Sequence, residues 1–344
     1  MTKRSLLIVV MLLQTGQLRQ PATAGVWERA LTNPTDQASK QLYDAKMKEG
    51  DEAAVACTLQ STSVRNLLES LKRAEAAYRA ASTARPSEAE PYFRIGNLLY
   101  QMHFDCEFQA TRPPTCDRNF ATPMRAELVI QAWDEFERHA PLDPRVSDLL
   151  TKRAILNTKS VNGTASDRKH LEAAARDYQA AFDRSDGLTK ARSDEELLLG
   201  NLAETYMMLD RLDEAIATYQ RAIAAGAARV STVYGLAVAL DRDGSGDQAF
   251  RYIHAQGAGG FASFTKEYMG KGVFFVPEGE HNYYFALLNE AFGNDGAALE
   301  YWNRYIGSRA HPEFQPRARE HIELLHKRHV RPEQPPPDPD DPNW

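Results

Sequence analysis

An all-α array of stacked antiparallel helix pairs is the fold class that this sequence predicts, on three observations. Residues 196–227, ELLLGNLAETYMMLDRLDEAIATYQRAIAAGA, hold two amphipathic helices joined by a short polar turn at Asp210-Arg211. The pattern returns 34 residues later, where Leu202, Ala203 and Ala215 recur as Leu236, Ala237 and Ala249. Within the pair, small Ala203, Ala215 and Ala222 alternate with large Leu199, Leu202, Tyr206 and Tyr219. Small residues let two helices approach closely, and the large ones fill the gaps. A fixed period of this length marks a solenoid, in which each unit buries its apolar face only against its neighbours.

These residues resemble a tetratricopeptide repeat. That family places a large residue, Leu, a small residue and Tyr on its first helix, then Ala, an aromatic and Ala on its second. Leu199, Leu202, Ala203, Tyr206, Ala215, Tyr219 and Ala222 stand at those positions, with Ala227 in place of a closing proline. Other copies match less completely. Ala74, Tyr78, Ala81 and Pro86 keep the second-helix spacing, and Tyr92, Ile95, Gly96 and Leu99 the following first-helix spacing. Ala132, Phe136 and Pro144 mark another second helix, with His139 departing from the small-residue rule. Ala174, Tyr178 and Ala181 mark one more, and Ala286, Ala298 and Trp302 the last unit. The resemblance implies a right-handed superhelical solenoid whose first helices line a concave groove that binds a protein or peptide.

The elements follow in chain order. Residues 1–24 read as a secretory leader: Lys3 and Arg4, an apolar stretch from Ser5 to Leu13, and Ala22-Thr23-Ala24 before Gly25. Nine residues of helix cover only about 13 Å of a ~30 Å hydrocarbon core, so this is not read as a membrane span. Residues 25–59 are expected to form a helical cap over the first repeat, and 60–308 the repeats. Wider spacings put insertions near 103–125, 159–168 and 257–281. The last holds Gly257-Ala258-Gly259-Gly260 and an extended run, Val273 to Val276, which reads as a short strand or a strap across the groove. Residues 309–331 read as a capping helix, which a solenoid needs to cover its final apolar face. Residues 332–344, PEQPPPDPDDPNW, read as a flexible acidic tail.

Composition narrows the function classes. At 43% hydrophobic and 26% charged, a folded core is possible and a wholly disordered chain is excluded. The net charge of −6 argues against a nucleic-acid binder. Loss of the leader removes Lys3, Arg4 and Arg19, leaving 38 basic against 47 acidic residues and a net charge of −9. The expected location is exported, periplasmic or secreted. In such an oxidising compartment, Cys106 and Cys116, in CEFQATRPPTC, are expected to form a local disulfide, leaving Cys57 free and buried.

No motif implies a cofactor, a metal or a catalytic set. Asp241-Arg242-Asp243-Gly244-Ser245-Gly246-Asp247 opens like a calcium loop, but Tyr252 stands where the bidentate Glu belongs, so the string reads as a turn. His321, His326 and His329 are read as part of a solvated cationic helix end, because H-x-E-x-x-H is not the H-E-x-x-H zinc spacing. Ser263-Phe264-Thr265-Lys266 matches S-x-x-K without its partner motifs. Applied to the spacing, the resemblance implies a groove lined by Phe93, Asn97 and Tyr100, then Glu204 and Met208, then Tyr234, Val238 and Arg242. An exported scaffold or adaptor is therefore expected. The alternatives are a structural part of a cell-envelope assembly, or a hydrolase using Ser263 or His281 from the 256–281 insert.

Overall fold

The computed structural model describes residues 34–59, 64–107, 123–160, 168–184, 192–225, 229–270, 275 and 278–333. The described residues form thirteen α-helices and no strand. In chain order these are α1 (Pro34–Leu59), α2 (Val64–Ala84), α3 (Glu90–Glu107), α4 (Pro123–His139), α5 (Val146–Ile155), α6 (Arg168–Asp183) and α7 (Arg192–Met208). Then come α8 (Leu212–Ala224), α9 (Val230–Arg242), α10 (Gly246–Met269), α11 (His281–Ala291), α12 (Asp295–Ser308) and α13 (Gln315–Lys327). Consecutive helices pair into six hairpins, α1–α2 to α11–α12, and α13 packs on α12. The expected all-α solenoid is the fold.

The hairpins form where small side chains sit between the helices. Ala74, Ala81, Ala174, Ala181, Ala203, Ala215, Ala222 and Ala298 are all fully buried. Tyr78, Tyr178, Tyr219 and Trp302, the large residues of the same pattern, are buried beside them. Two apolar clusters run through the stack, and α7 belongs to both. Leu198, Leu202 and Met208 join the N-terminal cluster, and Ala203 and Met207 the C-terminal one. An interior helix has neighbours on both sides, so α7 carries apolar residues toward each cluster. None of the described helices is long and apolar enough to cross a membrane.

Within the expected cap at 25–59, the described helix α1 packs along α2 as the first arm of the first hairpin. Ser39 Oγ donates to the Ala84 carbonyl at 2.6 Å, and Tyr78 Oη to Asp51 at 2.8 Å. The 257–281 insertion is not a loop throughout, because α10 runs through the glycine cluster to Met269. Gly257 takes φ 64° and ψ 179° and so kinks the helix there, a conformation that suits a residue without Cβ. Beyond the kink, Phe264 and Tyr268 are buried against the ring of Phe285, at 5.7 and 5.2 Å between centroids. That aromatic burial holds as helix a segment whose glycines disfavour one. Of the Val273–Val276 run only Phe275 is described, and its ring lies 4.8 Å from that of Tyr284. The leader at 1–24 and the tail beyond residue 333 lie outside the described residues, as does Cys116; nothing is described of the Cys106 side chain.

Glycine at position 96 is set by close approach. A Cβ there would fall 2.3 Å from Trp133 Cδ1 and Nε1, and Trp133 is fully buried. Gly96→Ala is therefore expected to destabilise the fold by about 1–3 kcal/mol, although helix propensity alone favours Ala by about 1 kcal/mol. Gly307→Ala on α12, with open space around its Cβ, is expected to be neutral or stabilising. Urea midpoints for the two variants check this, and an unchanged midpoint for Gly96→Ala contradicts the packing.

Candidate functional site

The first arms of successive hairpins share one face, and a cleft opens there between α5, α7, α9 and α11. It encloses about 110 Å³. One water needs ~10–15 Å³ on this measure, so there is room for a side chain. Helix α7 forms the floor through Leu197, Gly200, Asn201, Glu204, Thr205 and Met208, residues spaced by the helical repeat on one face. Thr158 enters from a π-helical turn at Leu156–Ser160 that continues α5. Its hydroxyl is held by the carbonyls of Ala154 and Ile155, at 3.1 and 3.0 Å. Arg229, Ser231 and Thr232 come from the start of α9. The kinked half of α10 supplies Phe264 and Glu267 as a wall, with Phe275 and Tyr284 beside them.

Glu204 is the carboxylate on the floor. Its Oε2 accepts hydrogen bonds from the hydroxyls of Tyr219 on α8 and Tyr284 on α11, the latter at 2.8 Å. Burial pushes its pKa up; the Tyr219 hydrogen bond opposes that, and the charge of Glu280 adds to it. Burial and the Glu204 charge together raise both tyrosines well above the usual phenol range, so they remain donors. Gly235 allows this arrangement, since a Cβ there would fall 2.5 Å from the Tyr219 ring and hydroxyl.

Of the residues expected to line a groove, Glu204 and Met208 line the cleft. Tyr234, Val238 and Arg242 do not; they are buried. Tyr234 is covered by the second half of α10, whose Phe264 ring meets it edge-on at 5.3 Å, and Arg242 by Glu280 and the rings of Tyr283 and Phe314. Phe93, Asn97 and Tyr100 lie on α3, outside this cleft, and are partly buried. The Arg145 guanidinium covers Phe93 at 4.1 Å, and Tyr100 packs on Trp133 at 5.1 Å between centroids. Ser263 is exposed on α10, and His281 is buried and stacked on Tyr268 at 5.3 Å; neither lines the cleft. Sequence reasoning missed Leu197, Asn201 and Thr205. Stepping back from Met208 and Glu204 by one and two helical turns finds Asn201 and Leu197.

Behind the cleft lies a set of buried charges. Arg242 pairs with Glu280 and is sandwiched between the rings of Tyr283, at 4.4 Å, and Phe314, at 4.2 Å. Asp241, fully buried, accepts from Tyr283 Oη at 2.7 Å, Arg317 Nη2 at 2.7 Å and His321 Nε2 at 3.1 Å. His321 Nδ1 lies 2.9 Å from Glu290, which also accepts from Trp302 Nε1 at 3.0 Å. His321 is thus buried, unlike exposed His326 and His329, and the solvated reading holds only for the latter two. Residues 243–245 of the Asp241–Asp247 string form the turn between α9 and α10, with Gly244 at φ 83°, and Asp241 is committed to α13 through Arg317 and His321. No group of acidic, His or Cys residues able to hold a metal occurs among the described residues.

The class is therefore an all-α solenoid of stacked helical hairpins with a polar cleft across its first arms. Similar solved structures include that of MamA protein, 14% identical, covering 69% of this chain and 100% of that one, with a TM-score of 0.41. Another is that of PilF of Pseudomonas aeruginosa, 15% identical, covering 82% and 99%, with a TM-score of 0.40. The fold assignment rests on the hairpins rather than on these likenesses. No protein-family model and no curated protein matches the chain.

The cap makes stability depend on pH. Burial opposes the charge on His321, but hydrogen bonds and charges from Asp241 and Glu290 outweigh it and raise its pKa to about 9. Burial likewise opposes the Asp241 charge, yet His321 and Arg317 bring that carboxyl down to about 2. A raised histidine stabilises fully below its unfolded value near 6.5 and loses that contribution as pH rises toward 9. A lowered carboxyl stabilises above about 4 and loses its contribution as pH falls toward 2. The urea midpoint is expected to fall between pH 6.5 and 9, with on the order of 3 kcal/mol from His321. His321→Gln is expected to reduce that slope, leaving the part due to His311, which is also raised. A midpoint that stays level from pH 6 to 9 in the parent protein contradicts this.

Proposed function

We propose that the protein is an interaction scaffold that binds a protein or peptide segment in the cleft over α7. The observation that supports this is the lining. Hydroxyl and amide groups of Asn201, Thr205, Ser231 and Thr232 alternate with the rings of Tyr178, Phe264, Phe275 and Tyr284. A peptide offers backbone amides and side chains together, and such a mixed surface meets both. The concave first-arm face is also where the repeat resemblance places a ligand.

Ser231→Trp at the edge of the cleft tests the reading. Peptides selected by display on the parent protein are expected to lose at least about tenfold in affinity for the variant. Its melting temperature is expected to stay close to that of the parent. Selected peptides that bind both proteins equally sink the cleft reading.

The scaffold works outside the cytoplasm in this proposal, after removal of residues 1–24, with Cys106 and Cys116 joined. The supports are the leader pattern and the spacing of the two cysteines. The chain recovered from its native host is expected to begin at Gly25. Alkylation in denaturant without reductant is expected to label one thiol, Cys57. A retained Met1 or three alkylated thiols overturns the respective part.

A further inference from the structure

Resting on the peptide reading, we infer that the cleft takes a cationic side chain, a lysine or arginine of the bound segment, on the carboxylate of Glu204. Three observations converge on it. The first is an incomplete coordination. Both tyrosine hydroxyls that reach Glu204 donate to Oε2, and among the described residues no donor meets Oε1. The carboxylate lines the cleft, so Oε1 is the acceptor left for a ligand.

The second is the charge around it. Arg242 lies behind the floor but pairs with Glu280. Arg229 is at the rim, 3.7 Å from Glu267. Among the described residues each cation at or behind the cleft thus already faces an acid, and Glu204 has no cationic partner. Burial raises the Glu204 pKa, so the desolvation cost is relieved either by a proton or by a cation that meets the carboxylate. A neutral group there leaves that cost in place, and an anionic one adds repulsion.

The third is the wall. Tyr178, Phe264, Phe275 and Tyr284 surround the approach to Glu204 with aromatic rings. Ring faces attract ammonium and guanidinium groups, most strongly where water is excluded. An apolar stem with a charged head fits a site with aromatic sides and an acid at the bottom. The same walls accept an aliphatic side chain, so the carboxylate is what separates lysine from its uncharged isostere.

The test uses four N-acetylated, C-amidated pentapeptides, Ala-Ala-X-Ala-Ala, with X as lysine, arginine, norleucine or glutamate. Affinities for the full mature chain are measured by NMR titration. The lysine and arginine peptides are expected to bind at least about tenfold more tightly than the norleucine peptide, and the glutamate peptide most weakly. Glu204→Gln is expected to abolish that advantage, and Ser231→Trp to abolish binding. Equal affinity for lysine and norleucine overturns the cation assignment while leaving a peptide cleft. A cation preference that survives Glu204→Gln, or lysine-peptide binding that survives Ser231→Trp, overturns the site. No binding of any of the four overturns both this inference and the cleft reading. Should Glu204→Gln fail to fold, the lysine-to-norleucine ratio on the parent protein decides.

Discussion

Everything in this molecule depends on how closely the two helices of each hairpin approach. Where they meet, the side chain is a methyl group or nothing. Ala74 and Ala81 serve the first hairpin, Ala174 and Ala181 the third, and Ala215 and Ala222 the fourth. The short separation gives each neighbouring Tyr or Trp a slot rather than a cavity, and dense filling of such slots is what dispersion and apolar burial require. The same geometry decides where function can lie. The inner faces are consumed by packing, so the shared outer face of the first arms is what remains for a ligand. Helix α7 shows both consequences, with Ala203 in the hairpin seam and Glu204, the next residue, in the cleft.

The acidic residues at the cleft and cap obey a second rule, that a buried charge needs a partner. Asp241 satisfies it inside the protein, through Tyr283, Arg317 and His321. Arg242 satisfies it through Glu280 and two aromatic faces. Removing one member of such a set leaves the others uncompensated, which is why these contacts specify one arrangement of α9, α11 and α13. Glu204 is different, because its internal partners are neutral hydroxyls. It is held in place without a cationic partner among the described residues.

Much of the stack was legible because the signal is local and repeated. The alanine–aromatic spacing at Ala215, Tyr219 and Ala222 recurs along the chain, and each instance marks a buried seam. Two errors came from interactions that no local window contains. Gly257-Ala258-Gly259-Gly260 has the composition of a loop, and only rings on α11 make it worthwhile for the chain to stay helical beyond it. His321 sits beside basic residues and reads as solvated. Its fate is decided by Asp241, 80 positions earlier, and by the Trp302 ring stacked on it at 4.6 Å. The site was half legible for the same reason. Glu204 and Met208 follow from the period of their own helix. The burial of Tyr234 follows from an insert whose path the period does not predict, and that of Arg242 from the distant Glu280, Tyr283 and Phe314.

The insert that covers Tyr234 also shapes the cleft. A regular hairpin would leave the α9 face open, as a shallow surface fit for many partners. The second half of α10 instead covers Tyr234 and stands Phe264 and Glu267 along one edge, closing a groove into a cleft of about 110 Å³. Enclosure lowers the local dielectric around Glu204, so an interaction with that carboxylate becomes stronger than it would be on an open face. In the proposed reading, the departure from regular repeat spacing is thus the feature that turns a generic binding surface into one with a charge preference.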